Sequence, residues 1–344
     1  MMNIRNNTML YEAKKAKHKP HIVLQILIFI VVIFATQAAA GLIIGVPLGL
    51  SMTSELLSKM SPADMTLSLE GIMSSVAEYM KNLPQWFGVV SLFATALVTF
   101  LVFVYCRGIE GRSFASMGVR KKGMAKNYGF GYLIGIVMIT ATVSLAVLLG
   151  GAKFTGLNSG VSVFYIVLFL AGYLVQGMSE EVCFRGYFMV SCANKVPVTW
   201  AVMISSLAFA IMHLANPGIT PLAVFNLVLF GVFAAVYILR TDDLWGACAI
   251  HSAWNFFQGN VFGISVSGSA QSTSVFGTSF VTGKGLISGD LFGIEGGICT
   301  TIVMLAGIAL VLFLPQKASP ELPQEEPSND PAPSRAPLPV YIEK

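Results

Sequence analysis

The sequence is short of charge. Only 11% of its 344 residues are Asp, Glu, Lys or Arg, against 55% hydrophobic. A soluble domain carries about 25% charged residues, so this chain has too few to cover a water-facing surface of its size. Paired cysteines are missing as well. Cys106, Cys183, Cys192, Cys248 and Cys299 form no C-x-x-C pair and lie in or beside apolar segments, which argues against a disulfide framework or a structural zinc site. Cys183 reads as a small packing residue. No His-Glu-x-x-His occurs, so the helical zinc-protease signature is absent. No internal repeat suggests the paired halves of a transporter. The net charge of +4 is not a nucleic-acid footprint, because the basic residues sit in loops; no nucleic-acid partner is expected.

What the sequence does have is long apolar blocks. About 20 helical residues cross the hydrocarbon core of a bilayer. Eight blocks qualify, near residues 22–50, 86–106, 129–150, 161–190, 198–215, 221–239, 244–260 and 292–314. The expected fold is an all-α polytopic membrane bundle of about eight transmembrane helices, with lipid as its surroundings. The first block runs past the apolar region of a cleaved signal peptide and is followed by further spans. Eight spans put 17 of the 21 Lys and Arg on the side of the termini and 4 on the other. That bias places both termini in the cytoplasm and the protein in the cell membrane.

Three parts follow: a basic cytoplasmic N-terminus at 1–21, the bundle at 22–314, and a tail at 315–344. The tail holds eight prolines and cannot bury a core, so it reads as disordered. Residues 51–85 read as an outer loop with amphipathic helical pieces at the interface. The Gly- and Ser-rich stretch 261–291 reads as a loop folded back onto the bundle.

Polar residues inside spans are costly and usually functional. The fourth span ends in Gly177-Met178-Ser179-Glu180-Glu181-Val182-Cys183-Phe184-Arg185. Glu181 and Arg185 are four apart and share a helix face, so Arg185 neutralises Glu181. Glu180 points about 100° away and is left to face a cavity, where a carboxylate desolvated by burial can act as a general base. The fifth span carries Phe209 and His213. The seventh carries His251 and Asn255 on one stripe; lipid offers them no partners, so they face the interior. A lone Glu–Arg pair or a lone His is more often structural than catalytic. Three helices contributing buried polar groups shift that balance.

Glu180-Glu181 with Arg185, Phe209 with His213, and His251 with Asn255 appear in the order Glu-Glu-x-x-x-Arg, Phe-x-x-x-His, His-x-x-x-Asn. That pattern resembles the CPBP family of intramembrane proteases, the CAAX prenyl endopeptidases and bacteriocin-processing or self-immunity (Abi) proteins. The resemblance covers about residues 110–314, with Phe292-Gly293-Ile294-Glu295-Gly296-Gly297 as a further family-like stretch. It implies an intramembrane endopeptidase acting on a peptide or membrane-protein substrate. Glu180 would activate water with help from His213, His251 and Asn255 would stabilise the oxyanion, and Glu181 and Arg185 would hold the geometry. Members are often called metalloproteases. A Glu and two His can in principle bind zinc with an open position, or work without metal, and the metal-free arrangement is preferred. The alternative is a non-catalytic immunity or scaffold protein of the same fold.

Overall fold

The structure is a computed structural model that describes residues 7–59, 74, 76, 79 and 83–314. The expected disordered tail and most of the expected interfacial loop lie outside the described residues. Ten helices are described: α1 (Thr8–Ala13), α2 (Ile22–Lys59), α3 (Gln85–Ile109), α4 (Met124–Leu148), α5 (Val163–Ala193), α6 (Val198–Ile211), α7 (Pro221–Thr241), α8 (Leu244–Phe256), α9 (Gly285–Ser288) and α10 (Ile298–Phe313). Each of the eight expected blocks overlaps one of the longer helices, and the fold is an all-α polytopic membrane bundle.

The helices differ from the expected spans in length. Five of them, α2, α3, α4, α5 and α7, are long and apolar enough to cross a membrane. Of the other three, α6 and α10 have 14 and 16 residues and fall short of the roughly 20 needed, while α8 has 13 and is continued by a π-helical turn, Phe257–Val261. Local backbone chemistry explains the truncations. After α6 the chain tightens into i→i−3 turns, with His213 N–H on the Ala210 carbonyl, and then meets Pro217 and Gly218, the latter at φ 74°. His213 therefore lies just past its helix rather than within it. Residues 290–296 form two 3₁₀ turns around Gly289 and Gly293, both at positive φ, so α10 starts at Ile298 and not near 292. In the other direction, α2 runs beyond residue 50 to Lys59. An antiparallel pair of strands, β1 (Ala152–Leu157) and β2 (Phe276–Phe280), was not foreseen.

Contacts between loops sort the ends of the helices into two faces. On one, Thr8 Oγ1 donates to Asp242 Oδ2 at 2.6 Å and Arg120 Nη1 to the same oxygen at 2.8 Å. Asn194 Nδ2 donates to the Ala13 carbonyl at 3.2 Å, Lys17 N to the Glu110 carbonyl at 2.8 Å, and Arg240 bonds the Leu312 carbonyl at the end of α10. On the other face, β1 pairs with β2, Asn216 Nδ2 donates to the Ser267 carbonyl at 2.9 Å, and Gln85 Nε2 to the Ser272 carbonyl at 3.4 Å. The first face gathers the loops that the Lys/Arg bias groups with the termini; the second gathers the others. The stretch 261–291 does fold back onto the bundle.

Small residues set the site's geometry. Apolar burial gives little drive for helices to associate within lipid, and small side chains let backbones approach closely. A Cβ on Gly177 would lie 2.4 Å from Ser252 Oγ and 2.7 Å from Ser252 N, which fixes α5 tightly against α8. A Cβ on Gly131 would lie 2.3 Å from the Gly246 carbonyl and one on Gly135 2.6 Å from that of Ile250, so α4 presses on the other side of α8. Every residue of α8 except Trp245 is buried.

Candidate active site

Glu180 and Glu181 close the α-helical part of α5, and the next turn, Val182–Met189, is a π-helix. Such turns concentrate at functional sites because they re-aim side chains. Glu181 and Arg185 are both fully buried and pair at 3.0 Å from Glu181 Oε1 to Arg185 Nη1, as their spacing predicts. The Arg185 guanidinium also lies 4.8 Å from the centre of the Phe209 ring, which gives the Phe of the second motif a cation-facing role.

Glu181 has a second partner. His251 Nδ1 lies 2.9 Å from Glu181 Oε1. Donation of Nδ1–H to that carboxylate sets the ring so that Nε2 faces Glu180, 3.5 Å from its Oε2. Glu181 thus does more than hold the helix, since it also orients the histidine that meets its neighbour. His213 Nδ1 donates to the Phe209 carbonyl at 2.8 Å; a carbonyl only accepts, so this bond fixes the tautomer and leaves Nε2 for other partners.

Glu180 Oε1 accepts from Gln176 Nε2 at 2.5 Å, and Gln176 Oε1 accepts from Asn255 Nδ2 at 3.0 Å. Gln176 links the carboxylate on α5 to the amide on α8. Sequence reasoning missed it, although it sits four residues before Glu180 on the same helix face. Glu180 Oε2 is buried and has no hydrogen-bond partner among the described residues.

Glu180, His213, His251 and Asn255 all line one cavity of about 200 Å³, together with Gln176, Trp254 and Glu295. All four expected site residues therefore meet. Glu180 and His213 also face a second cleft of about 340 Å³, bounded by α2, α3 and α5. Val266, Ser267 and Ser269 from the folded-back loop cover the first cavity, and Trp254 Nε1 is buried there without an acceptor among the described residues.

Residues 162–257 match the family model of type II CAAX prenyl endopeptidases, Rce1-like. The match bears out the resemblance to CPBP intramembrane proteases. In this CPBP-like core the matched segment begins at the N-cap of α5 and ends just beyond α8, so it contains every residue of the three motifs. It is narrower than the 110–314 expected from the sequence. No curated protein and no solved structure matches the chain.

Among the described residues, no three His, Cys, Asp or Glu side chains gather closely enough to hold an ion. His251 Nδ1 and His213 Nδ1 bond to Glu181 and to a carbonyl, which leaves the Nε2 of each as its possible ligand atom.

Proposed function

We propose that the chain is an intramembrane endopeptidase in which Glu180 activates water for attack on a peptide bond. The observation that carries this reading is that Glu180, His251, Asn255 and His213 line one cavity, with one Glu180 oxygen held by Gln176 and the other facing His251 Nε2 without a hydrogen bond among the described residues. A base needs a defined rotamer and a lone pair not spent on a hydrogen bond, and Glu180 has both.

The roles follow from the hydrogen bonds. Glu180 Oε2 takes a proton from water, and His213 Nε2 steadies that water. The hydroxide adds to the scissile carbonyl. His251, with Nδ1–H on Glu181, carries a proton on Nε2 in its charged form and presents it to the developing oxyanion. Asn255 uses one amide hydrogen on Gln176 and has a second for the same oxygen. Preorganised donors in a site shielded from water are usually the largest single contribution to catalysis. Collapse of the tetrahedral intermediate breaks the C–N bond, and the proton held by Glu180 passes to the leaving amine. The cleft beside α2 gives a substrate held in the membrane a route to Glu180. The substrate class is a membrane-associated peptide or membrane protein.

A non-catalytic scaffold or immunity role would leave the four polar residues without a purpose that requires their meeting. The experiment is a comparison of membrane-peptide profiles from cells carrying the wild-type protein or Glu180→Ala. Peptide termini that depend on Glu180 are expected; identical profiles at equal protein levels would favour the scaffold.

A further inference from the structure

A third buried carboxylate faces the cavity from the opposite side. Glu295 lies in the turn before α10 and is 9% exposed. The backbone around it needs glycine. Gly293 has φ 100°, and a Cβ there would sit 2.0 Å from the Ser265 carbonyl oxygen; a Cβ on Gly289 (φ 84°) would sit 1.9 Å from the Gly293 carbonyl oxygen. Such positive φ values strain any residue with a side chain.

This turn brings three donors to one oxygen. Glu295 Oε2 accepts from Ser267 N at 2.6 Å, Ser267 Oγ at 3.1 Å and Gln258 Nε2 at 3.1 Å. The donors are neutral, so they stabilise the charge without cancelling it. Among the described residues, no cation forms an ion pair with Glu295 and nothing donates to its Oε1. His213 lines the same cavity and is the nearest group able to carry positive charge toward Glu295, but it forms no ion pair with it. Arg185, the buried cation beside the site, is paired with Glu181. The cavity lining contains two glutamates, two histidines and no Lys or Arg. A desolvated carboxylate held by neutral donors alone is costly, and it favours a ligand of opposite charge.

We propose that Glu295 is a specificity residue that receives a Lys or Arg side chain of the substrate, next to the scissile bond. The proposal rests on the hydrolytic reading of the cavity and names its substrate class: a peptide with a basic residue on the Glu295 side of the cleaved bond. That side is the face of the bundle opposite α1.

The test uses full-length protein in liposomes and N-terminally acetylated peptides, so that only side chains supply the cation. The peptides are matched pairs with Lys or norleucine at each position flanking the cleavage site. Wild-type protein is expected to cleave the Lys peptide with a kcat/KM at least tenfold higher at one position. Glu295→Gln keeps an acceptor for Ser267 and is expected to abolish the difference between the peptides, the Lys peptide losing at least tenfold more than the norleucine peptide. An equal loss on both peptides would assign Glu295 to holding the Ser267 loop and overturn the proposal, as would the absence of any Lys preference in the wild type. Binding of the same peptides to Glu180→Ala separates the two readings. Lys-selective binding that Glu295→Gln abolishes, with no cleavage by the wild type, would keep the cation site and reject hydrolysis.

Discussion

Replacing Arg185 with Met removes the one Arg or Lys paired with Glu181 among the described residues and leaves a fully buried carboxylate with His251 as its remaining partner. Breaking one side of a buried ion pair costs about 3–5 kcal/mol. Removing both sides with Glu181→Leu/Arg185→Met leaves no uncompensated charge. The double variant keeps one orphan, the Nδ1–H of His251, which costs about 1–3 kcal/mol. Equilibrium unfolding in mixed detergent micelles should therefore order the three proteins as wild type, then double variant, then single variant. Proteolysis should follow a different order. The double variant regains stability but has lost the group that orients His251, so it should stay inactive. A single variant as stable as the wild type, or a double variant no more stable than the single, would refute the assignment of Glu181 as a shared acceptor.

Gln176→Leu should lower the rate about 100-fold by freeing the Glu180 rotamer, with little change in unfolding, as kinetics and unfolding on the same preparation would show. Cysteines placed at Lys14 and Lys121 should be protected from an impermeant thiol reagent in intact cells while one at Lys153 is labelled; labelling at Lys121 would contradict the orientation drawn from the loop charges. Carefully chelated protein should remain active and contain no stoichiometric zinc. Metal content that tracks activity across Glu180, His213 and His251 variants would make Glu180 a ligand or the base beside a metal-bound water.

The bundle was legible because lipid imposes a simple rule, that apolar blocks of a certain length become helices. The site was legible where it obeyed helical periodicity. Glu181 with Arg185, and His251 with Asn255, are four apart and fell on the faces expected. Contacts that close over long sequence distances were not legible. Nothing in the spacing of Glu181 and His251 announces a 2.9 Å bond between residues 70 positions apart. That contact depends on α5 and α8 touching through Gly177 and Ser252. Gln176 was overlooked because an amide in an apolar helix draws less notice than a charge. The ends of α6 and α10 were misjudged because apolar residues continue past the point where Gly and Pro turn the chain. The pairing of β1 with β2 joins two loops more than 100 residues apart, a contact that local pattern does not encode.

The central claim is that Glu180 activates water. The most direct measurement is hydrolysis in ¹⁸O-labelled water by purified protein in liposomes, using a peptide drawn from the Glu180-dependent profile. Wild-type protein should place one heavy oxygen in the new carboxylate per bond cleaved, and Glu180→Gln, folded and inserted at wild-type levels, should release no product. Cleavage by Glu180→Gln at the wild-type rate would contradict the account.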